Sequence, residues 1–158
     1  MDKTELLKQE KTLQFEAFTH AIGLDIALRI NAKVKERAEK TVGIRIVHND
    51  LLILHYLMDG RGESPWLNRK EKTVKDSGHS SLYTFLYADD VPEFKEWESS
   101  PEYAVCGGGF PIIENGEVTG AICVSGLDHL EDHKLIVESI GEVLLQTYWN
   151  PQSEAVKG

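Results

Sequence analysis

Trp66, Arg69, Lys70 and Thr73 fall at i, i+3, i+4 and i+7, so a helix through them gathers an indole, a guanidinium, an ammonium and a hydroxyl on one face. Such a set suits an anion: the two cations donate to a carboxylate or phosphate while the indole stacks on a planar group. The competing reading is a solvated helix whose cations pair with Glu71, Asp76 or a neighbouring subunit, and Lys72 and Lys75 are assigned to it. Two histidines stand beside groups that would suit a general base, His79 in Gly78-His79-Ser80-Ser81 and His133 directly after Asp132. A Ser-His-Asp triad is not indicated, because no nucleophile-elbow glycine pattern accompanies the serines. His129 and His133 at i, i+4 could chelate a metal, yet no third ligand is spaced to join them. Asp128 and Glu131 read instead as the capping pattern of a helix start, and no metal site is expected.

These residues must be positioned by elements on either side of a glycine run. Cys106-Gly107-Gly108-Gly109-Phe110-Pro111 opens one strand, Asn115-Gly116 supplies the two positive φ angles of a type I′ turn, and a second strand runs to Val124-Ser125-Gly126. With those two residues as the loop, Ile113 faces Val118, Pro111 faces Gly120 and Gly109 faces Ile122. Val118, Ile122 and Val124 then form a core face, while Thr119, Ala121, Cys123 and Ser125 form a small-residue face. Glycines without Cβ atoms leave volume there, to be taken by a closely packed helix or by a pocket. Close packing is favoured at the hairpin centre and a pocket at Gly108-Gly109, with Arg69 pointing in.

Upstream, Ile22, Ile26, Ile30 and Val34 mark a long helix over roughly residues 15–39, after a helical or frayed lead-in at 2–12. Gly43 to His48 and Leu51 to Leu57 form a hairpin about Asn49-Asp50, its second strand apolar enough to be covered on both faces. Ser64 and Pro65 start the helix that bears Trp66, Gly78 ends it, and Ser80 caps a short one. Residues 89–104 read as irregular with one helical turn. A last helix spans about Leu130–Tyr148, and the tail past Asn150-Pro151 reads as disordered.

At 158 residues, 41% hydrophobic and 27% charged, the chain suits one domain over 1–158 with a core of about 15–149. The acidic balance excludes general nucleic-acid binding. No run reaches membrane-spanning length, and no targeting signal is visible, which points to the cytoplasm. The two cysteines lack metal-ligand spacing and read as free thiols that pack.

Taken together, Gly107–Ile112, Gly116–Gly126 and Asp132 closely resemble the GlcG/HbpS-like, haem-degrading-type superfamily. Trp66, Arg69-Lys70, Gly78-His79-Ser80-Ser81 and His133 resemble its branch of small cytosolic proteins, and the resemblance spans about residues 15–147. It implies an α+β, profilin-like fold, an antiparallel sheet flanked by helices in α/β/α layers, assembled into dimers or larger rings around a recurring ligand pocket. Haem is implied as a cofactor by the resemblance alone, with His79 and His133 as candidate axial ligands. The expected role is a homo-oligomeric module binding a small anionic or planar ligand through Trp66, Arg69, Lys70, His79, Gly108, Gly109, Phe110, Ser125, Gly126, Asp132 and His133. The alternatives are an enzyme using His79, His133 or Asp132 on an anionic substrate, and a protein-interaction adaptor.

Overall fold

Two hairpins with the same turn chemistry build the sheet. Asn49 and Asp50 have φ of 51° and 62°, and Asn115 and Gly116 have φ of 49° and 86°, the paired positive angles that let a two-residue loop follow the twist of its strands. The first joins β1 (Gly43–His48) to β2 (Leu51–Leu57), the second β3 (Gly109–Glu114) to β4 (Glu117–Ser125). β1 and β4 pair antiparallel from Gly43 opposite Ser125 to His48 opposite Gly120, giving the order β2-β1-β4-β3. That is the order the two sequence-read hairpins and the profilin-like resemblance require. The computed structural model describes residues 1–149, so the expected disorder past Asn150-Pro151 lies outside the described residues.

Helices α1 (Lys3–Thr12) and α2 (His20–Arg37) precede the sheet; α3 (Trp66–Ser77), α4 (Ser81–Leu86) and α5 (Pro92–Trp97) lie between the hairpins, and α6 (His129–Trp149) follows. On one face of the sheet α2 and α6 bury Ile26, Ile30, Ile136 and Ile140 against Ile44, Ile46, Phe110, Ile122 and Val124. On the other, Leu67 and Val74 of α3 meet Ala121 and Cys123. The small-residue face of β4 is therefore filled by a helix, and the architecture is the α/β/α arrangement of an α+β fold. Gly78 (φ 72°) ends α3 and the Ser80 hydroxyl accepts from the Tyr83 N–H, as the sequence indicates. Among the described residues no helix is long and apolar enough to cross a membrane.

Several expectations are corrected. The long helix starts at His20, because Thr19 caps it and Phe15 runs extended beside β3, its N–H donating to Ile113 O at 2.8 Å. Pro65, expected as the first helical residue, takes the cap position instead of Ser64, whose hydroxyl accepts the Trp66 N–H at 3.2 Å. The β3–β4 register shifts by one at a bulge: Ile113 faces Val118 but Ile112 faces Gly120, leaving Thr119 as the extra residue. Gly109 consequently faces Cys123, and Val118, expected in the core, is 40% exposed. β2 is an uncovered edge rather than a strand buried on both faces, with Leu51, Leu52 and Tyr56 exposed.

α1 and residues 13–18 wrap the opposite edge. Asn115 N–H donates to Phe15 O at 3.1 Å, and Phe18 N–H donates to Glu114 Oε2 at 3.0 Å. Glu114 also takes the Thr119 hydroxyl at 2.7 Å and lies 2.6 Å from His48 Nε2. These bonds hold its carboxyl far below the ordinary value of 4.5, at about 2. Leu6 is fully buried and anchors α1, contributing about 2 kcal/mol by transfer from water.

Candidate functional site

Leu67, Lys70 and Val74 lie on the inward face of α3, and Lys70 extends its stem beneath β4 until the ammonium meets the end of that strand. Its Nζ donates to Val124 O at 2.8 Å and to Asp132 Oδ2 at 3.3 Å, in surroundings where Lys70 is 3% and Asp132 1% exposed. Asp132 Oδ1 accepts the Leu127 N–H at 3.0 Å, so the pair ties α3, β4 and the start of α6 together. Burial pushes the Asp132 carboxyl up to about 6, against the opposing pull of Lys70. Gly108, at φ 119°, explains the approach: a Cβ there would run into the Lys70 ammonium and the Val124 carbonyl.

The other glycines of the run meet protein in the same way. Gly109 N–H donates to Ser81 Oγ at 2.9 Å, and Gly107 N–H donates to His129 Nδ1 at 2.9 Å. Ser125 pairs with Gly43, and Gly126 gives its carbonyl to Arg61 at 2.9 Å. Arg69 turns away from this centre. Its guanidinium stacks 4.0 Å over the exposed Trp66 ring and donates to Tyr103 O at 2.8 Å and Ser100 O at 3.3 Å, clamping the loop that leads to the glycines. The expected inward Arg69 is thus replaced by an inward Lys70, because α3 sits so close to β4 that the residue one position on faces the sheet.

His79 and His133 occupy a third region, on the β3 flank between α4 and α6, where α1 lies across both. His79 stacks on Tyr83 with ring centroids 3.7 Å apart and donates from Nδ1 to Glu10 Oε1 at 2.7 Å. Glu10 Oε2 accepts both the Ser80 N–H at 3.2 Å and the Ser80 hydroxyl at 2.9 Å. His133 is fully buried beside the Phe110 ring, with Nε2 2.7 Å from Gln9 Oε1 and, among the described residues, no partner at Nδ1. Burial draws its pKa down to about 4, which keeps the imidazole neutral at physiological pH. Gln9 and Glu10 were not singled out by sequence. The available signal was Leu6, Gln9, Glu10 and Leu13 at i, i+3, i+4 and i+7, one helical face of mixed polarity.

Two cavities open elsewhere. A cleft of about 440 Å³ between the end of α2 and the start of α6 has Val34, Leu127 and Leu135 on its floor and Lys40 and Lys134 among its charged walls. A second, of about 310 Å³, lies by Asn49, Lys75 and the Thr119 bulge. Both cysteines are free thiols, with Cys123 pushed up to about 12 by burial and Cys106 raised for the same reason.

The model of the family described as "Haem degrading protein HbpS-like" matches residues 18–141. The chain belongs to this family. A UPF0303 protein of Rhizobium meliloti is 33% identical over 152 residues, covering 90% of each chain. One of Psychromonas ingrahamii is 29% identical, covering 89% of this chain and 91% of that protein. Among solved structures the Ybr137w protein superposes with a TM-score of 0.75 at 31% identity, over 87% of this chain and 84% of that one. A PduOC:heme complex shares the fold, with a TM-score of 0.67 at 14% identity, over 79% and 94%.

Haem can be tested against this HbpS-like chain's own donors. The walls of both cavities include no histidine, cysteine, methionine or tyrosine to serve as an axial ligand. His133 is enclosed with its Nε2 engaged by Gln9, and His79 Nδ1 is engaged by Glu10. Haem therefore does not fit these two cavities. Among the described residues no group of three His, Cys, Asp or Glu side chains could hold a metal ion.

Proposed function

We propose that this HbpS-like chain is a cytosolic, homo-oligomeric module that binds a small anionic or planar ligand. The observation that carries the reading is a convergence of polar groups on one flank of the sheet. His79 and Ser80 bond Glu10 while His133, beside the apolar Phe110 ring, bonds Gln9, so the polar groups of two elements meet on neighbouring side chains of a single short helix. A few convergent polar groups against an apolar wall are what a small-molecule site requires. In this reading Gly108 and Gly109, with Ser125-Gly126 at the facing strand end, let the backbone and α3 close up behind the site. The Lys70–Asp132 pair and the Trp66–Arg69 clamp hold its walls in place. Self-association would use the β2 edge strand, which exposes the apolar side chains of Leu51, Leu52 and Tyr56. Native mass spectrometry of the protein taken from cell extract tests both halves. A retained small molecule on a species above 17.8 kDa in multiples supports the reading, and a bare monomer rejects it.

A further inference from the structure

We propose that α1 is an internal plug, its Glu10 and Gln9 side chains occupying a site built for a small carboxylate that carries a second hydrogen-bond acceptor. The proposal rests on the ligand-binding reading above and gives that site its ligand chemistry and its regulation.

The Glu10 carboxylate is held as a bound anion would be. It takes three hydrogen bonds, from His79 Nδ1 at 2.7 Å, the Ser80 N–H at 3.2 Å and the Ser80 hydroxyl at 2.9 Å, while Glu10 is 9% exposed. Tyr83, stacked 6° from parallel on His79, fixes the ring plane so that Nδ1 faces the carboxylate. One residue back along α1, Gln9 offers its amide oxygen to His133 Nε2 at 2.7 Å. The acceptors thus come from two neighbouring side chains of one helix, and the donors come from the loop before α4 and from α6.

Three further observations separate plug from site. The donors lie within residues 18–141, the stretch matched by the family model, whereas α1 precedes it. Leu6 is the one fully buried apolar side chain of α1; Leu7 on the same helix is 44% exposed, and Lys3 adds an exposed pair with Asp90 and a contact over the Tyr87 ring. His133 is fully enclosed, yet among the described residues its Nδ1 has no partner, a hydrogen-bonding valence that α1 leaves unused. His79, with a side chain 35% exposed, marks where the site reaches solvent. A ligand displacing α1 would place its carboxylate on His79 and Ser80 and its second oxygen on His133 Nε2.

Calorimetric titration of the full chain with N-acetylglycine, a carboxylate bearing one amide acceptor, tests this against neutral N-acetylglycinamide. Glu10→Ala should bind N-acetylglycine roughly ten- to a hundredfold more tightly than the wild-type chain, since a docked competitor lowers apparent affinity by the fraction of time it holds the site. Adding Ser80→Ala to Glu10→Ala should remove the gain, and the amide should bind neither protein. Saturating N-acetylglycine should also speed hydrogen exchange across α1 in the wild-type chain. Glu10→Gln, which keeps the packing of the side chain, provides the comparison if Glu10→Ala does not fold. Equal affinity for wild type and variant, with unchanged α1 exchange, overturns the plug but leaves the ligand-binding reading standing. No binding by either protein, while a different small molecule is retained from extract, overturns the carboxylate assignment alone. No binding and no retained molecule overturns both.

Discussion

The two edges of the sheet are treated in opposite ways. β3 is closed from within: Phe15 bonds Ile113 and Asn115, Phe18 caps onto Glu114, and α1 lies across the flank beyond. β2 has no such cover and exposes Leu51, Leu52 and Tyr56, blunted only by a bulge where Val47 faces Leu52 and Ile46 faces Leu54. The closed edge is rich in polar side chains bonded over long sequence distances, and the open edge is apolar. An edge strand is a template for pairing, so a chain that seals one edge and leaves the other bare directs association to a single side. The contrast separates the flank proposed above for ligand from the flank proposed for self-association.

Breaking the seal should have the largest effect. Phe15 is 4% exposed and belongs to the main core, so Phe15→Ala should destabilise the chain by about 3–5 kcal/mol in urea unfolding. The same variant should expose the Ile113 carbonyl edge and promote aggregation, which light scattering would register. If Phe15→Ala costs less than about 1 kcal/mol, the seal is ornamental and the comparison fails.

A smaller effect is expected at the charged end of the seal. Glu114 has a folded pKa of about 2 against an ordinary 4.5, so its stabilisation is complete above about 4.5 and drains away as pH falls toward 2. Discounted for partial exposure, Glu114→Gln should cost about 1–2 kcal/mol at pH 7, and the gap to wild type should close near pH 2. A gap that stays constant from pH 7 to pH 2 would show that the carboxylate is not what holds Phe18.

The smallest change in chain stability belongs to the open edge. Leu52 is 47% exposed, and Leu52→Lys should shift unfolding by no more than about 0.5 kcal/mol. It should nonetheless reduce any assembly to a monomer in light scattering. A variant that still assembles moves the interface away from β2.

How much of this could be read in the sequence depends on how local its causes are. The Asn115-Gly116 turn, the Gly78 stop and the Ser80 cap are decided within a few residues, and each stands where the sequence places it. The strand order followed from two hairpins and a family resemblance. The Thr119 bulge is not legible locally because a distant group holds it: Asn49 N–H donates to the Thr119 carbonyl at 2.8 Å across the β1–β4 pairing. Arg69 was assigned the task that Lys70 performs, since helical spacing gives a face to within one residue but not how closely that face meets the sheet. Lys70 and Asp132 both belong to the expected site, but nothing local pairs them. Glu10 lies in a stretch of charge that reads as solvated, and the donors that bury it sit 69 and 70 positions away.

The wrapped edge also sets an order of assembly. Gln9 meets its partner His133 across 124 positions, and Phe18 reaches Glu114 across 96. A chain made from its N-terminus onward completes α1 before any of these partners exists. The β1–β2 hairpin and α3 can close while synthesis continues, but β3 has no seal until the β3–β4 turn has formed, and α1 cannot dock fully until α6 has begun. α1 thus leaves the ribosome before its partners and is among the last elements to find its place.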